Sequence, residues 1–338
     1  MKFVRRMRNQ LVHHSMTKVL QSVAFVMPVL NEELYLRSAV QSILKQQTPG
    51  NAEVILALGP STDNTNKIAA ELASEFKVIL VENPTGGTSA GLNLAIAKAT
   101  SDVIVRVDAH SVLSSNYTAL AVEILSETKA ANVGGVMRAI GEKPFQKSVA
   151  WAYTSRFGLG GGTFHVGGQA GPSDSVYLGV FDRKALLEVG GFDENVVRGQ
   201  DWELNLRLRQ SGKVVWFDPR LDVQYFPRSS WSKLARQFFD TGIWRGELTR
   251  RSPKTASLRY FAPPVLVLAW VAGLVLAFAG FTWALIPLAA YVGAIALVAV
   301  SASKLPLSAR TFLVITLPTM HLWWGAGFWV GLLTNHKR

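Results

Sequence analysis

The sequence predicts an α/β protein: a mostly parallel sheet flanked by helices over residues 21–229, an amphipathic interfacial segment over 230–260, and a C-terminal α-helical transmembrane region over 261–333. Three observations carry this expectation. Short β-branched runs alternate with helical segments from Ser22 onward, as βαβ units do. Phe261 to Ser303 contains no Asp, Glu, Lys or Arg, a run about twice the roughly 20 apolar residues that a bilayer-spanning helix needs. Between these parts, Trp231, Leu234, Phe238 and Trp244 can share one apolar face, with Lys233, Arg236 and Arg245 available to lipid headgroups.

The elements follow in order. Residues 1–20 carry Lys2, Arg5, Arg6, Arg8, His13, His14 and Lys18 without the apolar core or small-residue cleavage site of a secretion signal. This segment either rests on anionic lipid or extends upstream of a start near Met16. Val23 to Val29 then reads as a strand, Glu32 to Gln47 as a helix, Glu53 to Leu58 as a strand and Asn64 to Phe76 as a helix. Val78 to Val81 reads as a strand, Gly91 to Ala99 as a helix and Val103 to Val107 as a strand.

Ligands of such sheets gather beyond the carboxyl ends of the strands. The first strand is followed by Pro28, Asn31, Glu32 and Glu33, the second by the turn Gly59 to Thr65 with Asp63, and the last by Asp108, Ala109 and His110. The small-residue run Thr85 to Asn93 offers backbone that can approach phosphate or ribose closely. Carboxylates, an imidazole and backbone donors on one rim suit a nucleotide diphosphate with its divalent cation.

Further on, seven glycines between Gly158 and Gly171 give either a mobile loop ordered by substrate or a plain connector. Asp174 precedes a strand-like run, Val176 to Val180. Gly190 to Glu194 leads to Gly199, Gln200, Asp201, Trp202 and Glu203 at the head of a helix with Arg207 and Arg209.

The uncharged C-terminal stretch divides into expected spans at about 261–280 and 282–303, with the break near Gly280 to Thr282, and a third at 311–333. Arg245, Arg250, Arg251, Lys254 and Arg259 precede the first span, and Lys304 and Arg310 separate the second from the third. By the positive-inside rule both loops face the cytoplasm, which implies a multi-pass cell-membrane protein with a cytoplasmic catalytic domain. Three full crossings place Lys337 and Arg338 outside, so the third segment, with Pro318 and Gly325 to Gly327, is either a span or a tilted or re-entrant helix.

The formal net charge is +12, and it clusters beside apolar spans, which suits a membrane and does not suit nucleic acid. With no Cys in the chain, thiolate metal sites and cysteine nucleophiles are excluded.

The strand ending in Pro28-x-x-Asn31-Glu32, the Ser- and Thr-rich turn ending at Asp63, Asp108-Ala109-His110, Gly190-Gly191-Phe192-Asp193 and Gln200-Asp201 together resemble the family 2 glycosyltransferases over about Val23 to Arg245. Within that family, Val107-Asp108-Ala109-His110 and the C-terminal membrane segment are similar to membrane-anchored exopolysaccharide glucosyltransferases of the succinoglycan biosynthesis type. The resemblance implies a GT-A-like fold and an inverting, metal-dependent hexosyltransferase. Its partners would be a nucleotide-sugar donor, a UDP-sugar favoured, and a lipid-linked oligosaccharide or cell-envelope glycan acceptor at the cytoplasmic membrane face. Two other readings are transfer to polyprenyl phosphate and a catalytically inactive nucleotide-sugar-binding membrane subunit.

On this resemblance Asp108 and His110 stand at the family's Asp-x-Asp metal positions, His110 replacing the second Asp, with Mn²⁺ or Mg²⁺ as cofactor. An imidazole tilts the choice toward Mn²⁺, unless His110 is only bonded within its loop. Pro28, Asn31, Glu32, Asp63, Asn93, Arg106 and Asp108 are expected at the donor. Asp63 binds base or ribose, or else caps the helix behind it. Gly59 and Pro60 replace the family's early Asp-Gly, and Leu92 stands where an Arg often precedes Asn93, so charge compensation falls to Arg106 unless its head lies in solvent. Inversion needs one general base to deprotonate the acceptor hydroxyl, and Asp201 is assigned to it. Asp174, Arg198, Gln200 and Trp202 are expected around the acceptor, Trp202 stacking on a sugar. Gln237 with Trp244 and Arg245 only partly matches the Gln-x-x-Arg-Trp motif of processive synthases, which argues for single addition.

Overall fold

A computed structural model of the chain describes residues 22–334 apart from 160–161, 197, 252 and 254–257. The basic segment 1–20 and the last two basic residues lie outside the described residues. The first half runs β1 (Ser22–Val29), α1 (Leu36–Leu44), β2 (Asn51–Leu58), α2 (Thr65–Glu75), β3 (Val78–Glu82), α3 (Thr88–Lys98) and β4 (Val103–Arg106). It continues with β5 (Ser111–Leu113), α4 (Tyr117–Thr128), β6 (Asn132–Ala139), α5 (Pro144–Tyr153), α6 (Thr163–Val166) and β7 (Gly171–Pro172). Then come β8 (Tyr177–Asp182), α7 (Arg183–Glu188), α8 (Gln200–Gln210) and β9 (Val215–Tyr225).

One sheet has the order β3-β2-β1-β4-β8-β6-β9-β5, with β7 pairing β9. β3, β2, β1 and β4 are parallel, so their carboxyl ends share one edge. β8 then enters antiparallel between β4 and β6, and β6 pairs β9 in parallel. The fold is thus α/β with a mixed sheet, parallel where the first rim motifs sit. Burial of both faces explains why β1 reads as a continuous apolar run. Val23, Phe25, Met27 and Val29 face the core shared with α1, α2 and α4. Ala24 and Val26 face the one built with α3, α7 and α8. The expected helix over Glu32 to Gln47 begins only at Leu36, because residues 31–35 form the rim turn instead.

The C-terminal part consists of α9 (Trp231–Arg251), a 3-10 turn (Leu258–Phe261), α10 (Ala262–Phe278), a second 3-10 turn (Thr282–Leu285), α11 (Ile286–Ser301) and α12 (Leu307–Leu333). Gly280, at φ +96, turns the chain between α10 and α11. Among the described residues one helical stretch, Thr282–Ser301, is long and apolar enough to cross a membrane, and Ala262–Phe278 is a shorter apolar helix. Three independent spans are therefore not what the structure presents. The region expected as the third span is the continuous helix α12, whose Leu313, Leu317, Met320 and Phe328 are buried within the protein. α10 and α11 instead leave Val271, Val275, Phe278, Ile286, Val292, Leu297 and Val300 exposed.

α9 also departs from expectation. Leu234 and Phe238 are buried in a cluster with Val149, Tyr153, Tyr225, Leu313, Leu317 and Met320, so these two side chains meet protein, while Trp231 stays exposed. The helices α9 and α12 approach backbone to backbone: a Cβ on Gly242 or Gly246 would strike the Trp324 or Phe328 carbonyl, and one on Gly327 or Gly331 the Phe239 or Ile243 carbonyl. Two small-xxx-small pairs interlock, the device by which helix backbones reach close contact. Arg245 is buried too, and so is not a headgroup contact.

Candidate active site at the carboxyl rim of the sheet

β4 ends at Arg106, whose side chain is 4% exposed. Its Nη2 donates to Asp108 Oδ1 at 3.0 Å, its Nη1 forms an ion pair with Asp201 Oδ1, and its guanidinium lies 5.8 Å from the centre of the Phe192 ring. One buried cation thus bridges the carboxylate after β4 and the carboxylate at the start of α8, which are 93 positions apart in sequence. Burial pushes the Asp108 carboxyl up, but the neighbouring Arg106 and His110, with Arg228 beyond, outweigh it and hold the group below its ordinary value.

His110 Nδ1 lies 2.8 Å from Glu32 Oε1, and its ring packs edge-on against Tyr225 at 5.4 Å. A carboxylate only accepts, so Nδ1 is the donor of this pair, and Nε2 is left as the ring nitrogen that a metal could take. Glu32, expected at the donor, orients the His110 ring. No group of three or more His, Asp or Glu side chains that could hold a metal occurs among the described residues. The donor set is one anionic carboxylate with an oriented imidazole beside it. That fits a divalent ion held by one or two protein groups and completed by phosphate oxygens and water, the usual way Mg²⁺ sits on phosphates, and not an all-protein cage.

The first two rim turns are zipped together. Ser61 Oγ accepts from Asn31 N at 3.1 Å, and Asn31 Oδ1 accepts from Thr62 N at 2.8 Å. Asn31 adopts φ 56, a left-handed conformation that Asn tolerates. Thr65 Oγ1 accepts from Glu32 N at 2.7 Å, and Glu33 Oε2 from Asn64 N at 3.1 Å. Asp63 accepts from Thr65 N, at the head of α2, at 2.9 Å and from Glu33 N at 3.4 Å, tying the two turns together. Pro28 is half-buried within β1, paired with Ala57 of β2.

Two residues of the Thr85 to Asn93 run make contacts within the protein. Asn93 donates to Phe192 O at 2.8 Å and Glu194 Oε1 at 3.0 Å and accepts from Phe192 N at 2.9 Å, so its amide clamps the Gly190–Glu194 turn. A Cβ on Gly91 would lie 2.7 Å from Asn83 Nδ2 and 3.3 Å from Pro28 Cβ, which places this glycine in helix-against-strand packing.

In the acceptor half, Asp201 keeps 29% side-chain exposure. Glu203 pairs with Arg207, which also donates to the Gly191 carbonyl at 2.8 Å. Asn205 of α8 is buried, accepting from Asn132 Nδ2 at 2.7 Å and donating to Ser175 Oγ at 3.0 Å, which pins the helix to the sheet. Gln200 and Arg198 are half-buried beside Asp201. Trp202 stands edge-on to Trp244 at 6.1 Å, with Arg245 5.1 Å from its ring centre, so it packs against α9. Asp174 is 85% exposed and pairs with Arg209 at 3.1 Å, eight residues and about 12 Å of helix beyond Asp201. It does not join the cluster.

Three tyrosines that sequence reasoning passed over back this site. Tyr177 OH lies 3.1 Å from Ser111 Oγ, and Tyr225 packs against Tyr153 and Tyr177 at 6.1 Å each. Burial pushes the hydroxyls of Tyr153 and Tyr177 well up and that of Tyr225 up. They lie on α5, β8 and β9, so no local spacing announces them.

The Glycosyl transferase family 2 model matches residues 24–190. The chain is 32% identical over 327 residues to the succinoglycan biosynthesis protein ExoA of Rhizobium meliloti, covering 94% of this chain and 97% of that one. It is 26% identical to a dolichyl N-acetyl-α-D-glucosaminyl phosphate 3-β-D-2,3-diacetamido-2,3-dideoxy-β-D-glucuronosyltransferase of Methanococcus voltae, covering 68% of this chain and 74% of that one. In fold it is similar to the mannosyltransferase PcManGT of Pyrobaculum calidifontis, solved with GDP-Man and Mn²⁺ (TM-score 0.59, 18% identity, 90% of this chain and 87% of that one).

Proposed function

The chain belongs to glycosyl transferase family 2, and from that premise we propose that it is an inverting, metal-dependent transferase adding one sugar from a nucleotide-sugar donor to a lipid-linked or envelope glycan. The single observation that supports this most is the bridge from Arg106 to both Asp108 and Asp201. It brings a phosphate-side carboxylate and a candidate base to one cation.

In this reading Asp108 and His110 would hold Mn²⁺ or Mg²⁺, with Glu32 orienting the imidazole. The ion, when bound, neutralises charge on the departing diphosphate. The acceptor hydroxyl attacks the anomeric carbon, a new C–O bond forms, and its proton passes to the Asp201 carboxylate oxygen not held by Arg106. The bond to the diphosphate breaks with its electron pair, on the opposite face. A UDP-sugar is our favoured donor. The GDP-Man seen in the similar mannosyltransferase keeps a GDP-sugar as the second donor to test.

We assign 21–229 to the transferase domain, 230–260 to the bridge and 261–333 to the membrane part. The α10–α11 hairpin enters the bilayer from the cytoplasmic face, and α12 packs behind it. The exposed apolar side chains of that hairpin support this. The test incubates the full chain in detergent with UDP-, GDP- and dTDP-sugars, MnCl₂ and extracted lipid-linked glycans. A product heavier by one hexose, of inverted anomeric configuration and lost on EDTA treatment, is expected. Retained configuration, or turnover unaffected by EDTA, contradicts it.

A further inference from the structure

The residues just before Asp201 rest on a helix outside the sheet domain. Gly199, at φ +72, lies against the indole of Trp244, so that a Cβ there would overlap the ring. The next residue of α9, Arg245, is buried, and its guanidinium lies 5.1 Å from the centre of the Trp202 ring, 4.6 Å from that of Trp244 and 4.0 Å from that of Tyr260. These rings come from three places: α8, which carries Asp201; α9 itself; and the turn that opens α10. A cation among aromatic faces is attracted by each.

α9 cannot slide under this contact. Gly242 and Gly246, flanking Trp244 and Arg245, meet the Trp324 and Phe328 backbone of α12. The position of the α8 N-terminus is thereby tied to the membrane-proximal helices. The opposite wall, Arg106, is fixed in β4.

We propose that Trp244 and Arg245 are positioning residues: they seat the N-terminus of α8 so that Asp201 meets Arg106 and the acceptor, and the seating of α9 on α12 thereby governs turnover. This rests on the role given to Asp201 above. Neither side chain touches substrate in this account. Misplacing a reacting group by about 1 Å costs on the order of 100-fold in rate, so loss of the seat is read in kcat.

The test uses the full chain in detergent with UDP-glucose, GDP-mannose and dTDP-glucose, each with MnCl₂. For whichever donor the unmodified chain turns over, kcat and KM are measured by nucleoside diphosphate release, alongside amide hydrogen exchange of residues 199–204. Trp244→Ala is expected to lower kcat on the order of 10- to 100-fold, with donor KM changed less than about threefold and faster exchange at 199–204, while exchange in α2 stays the same. Trp244→Phe restores most of kcat. Arg245→Gln, which keeps the Gly199 contact, serves if Trp244→Ala fails to fold, and a kcat loss of about three- to tenfold is expected from it. Unmodified kcat in these variants, or no rescue by phenylalanine, overturns the proposal. If Asp201→Asn itself turns over normally, the base assignment is what fails. Exchange then decides the clasp: unchanged exchange at 199–204 in Trp244→Ala overturns it, and faster exchange upholds it.

Discussion

Arg106 shows how a single residue changes meaning between sequence and structure. Its spacing in β4 allowed either a solvated head or a charge near phosphate, and the fold buries it between Asp108 and Asp201. Nothing local could say so, since Asp201 arrives from a helix across the sheet. Asn93 and Asp63 were legible as rim residues for the same topological reason. Their partners were not, because an amide that clamps a turn and one that binds a ligand look alike in sequence. Replacing Arg106 by Met leaves two carboxylates without their buried counter-charge. The variant should lose about 3–5 kcal/mol of stability, and adding Asp201→Asn should recover part of it, a coupling read by a double-mutant cycle of melting curves.

Among elements, the βαβ alternation made the first half of the sheet legible, and the uncharged run with Gly280 made the α10–α11 hairpin legible. What an amphipathic face packs against is another matter. The period of α9 gave its apolar side, and lipid or protein would satisfy that side equally; the glycine pairs decide for α12. Gly246→Leu should therefore destabilise the chain by about 1–3 kcal/mol or more by overpacking, whereas Gly293→Leu, with nothing within 4 Å of its Cβ position, should shift the melting curve by less than about 0.5 kcal/mol. Elsewhere, Glu53 ties β2 to the loop before β4 by accepting from Ser101 Oγ at 2.6 Å and Thr100 N at 3.0 Å. Burial raises its carboxyl, but those bonds outweigh it and leave the group below its ordinary value. The unfolded chain then binds the proton more tightly. The stability advantage over Glu53→Gln is full above the ordinary glutamate pKa of about 4.3 and is lost as pH falls through the lowered folded-state value, which melting curves at descending pH will show.

Across the whole molecule, the net charge of +12 and the exposed apolar hairpin place enzyme and lipid-linked acceptor in one plane on our reading. The rim is not independent of the C-terminal helices, since α9 touches both α12 and the start of α8. The central claim is that Asp201 takes the proton from the acceptor, and one comparison addresses it most directly. Full-length Asp201→Asn and the unmodified chain are each given the preferred nucleotide sugar with Mn²⁺, donor binding being measured by calorimetry and transfer by product mass. Donor affinity within about threefold and transfer reduced on the order of 1,000-fold or more are expected; transfer at the unmodified rate rules Asp201 out as the base.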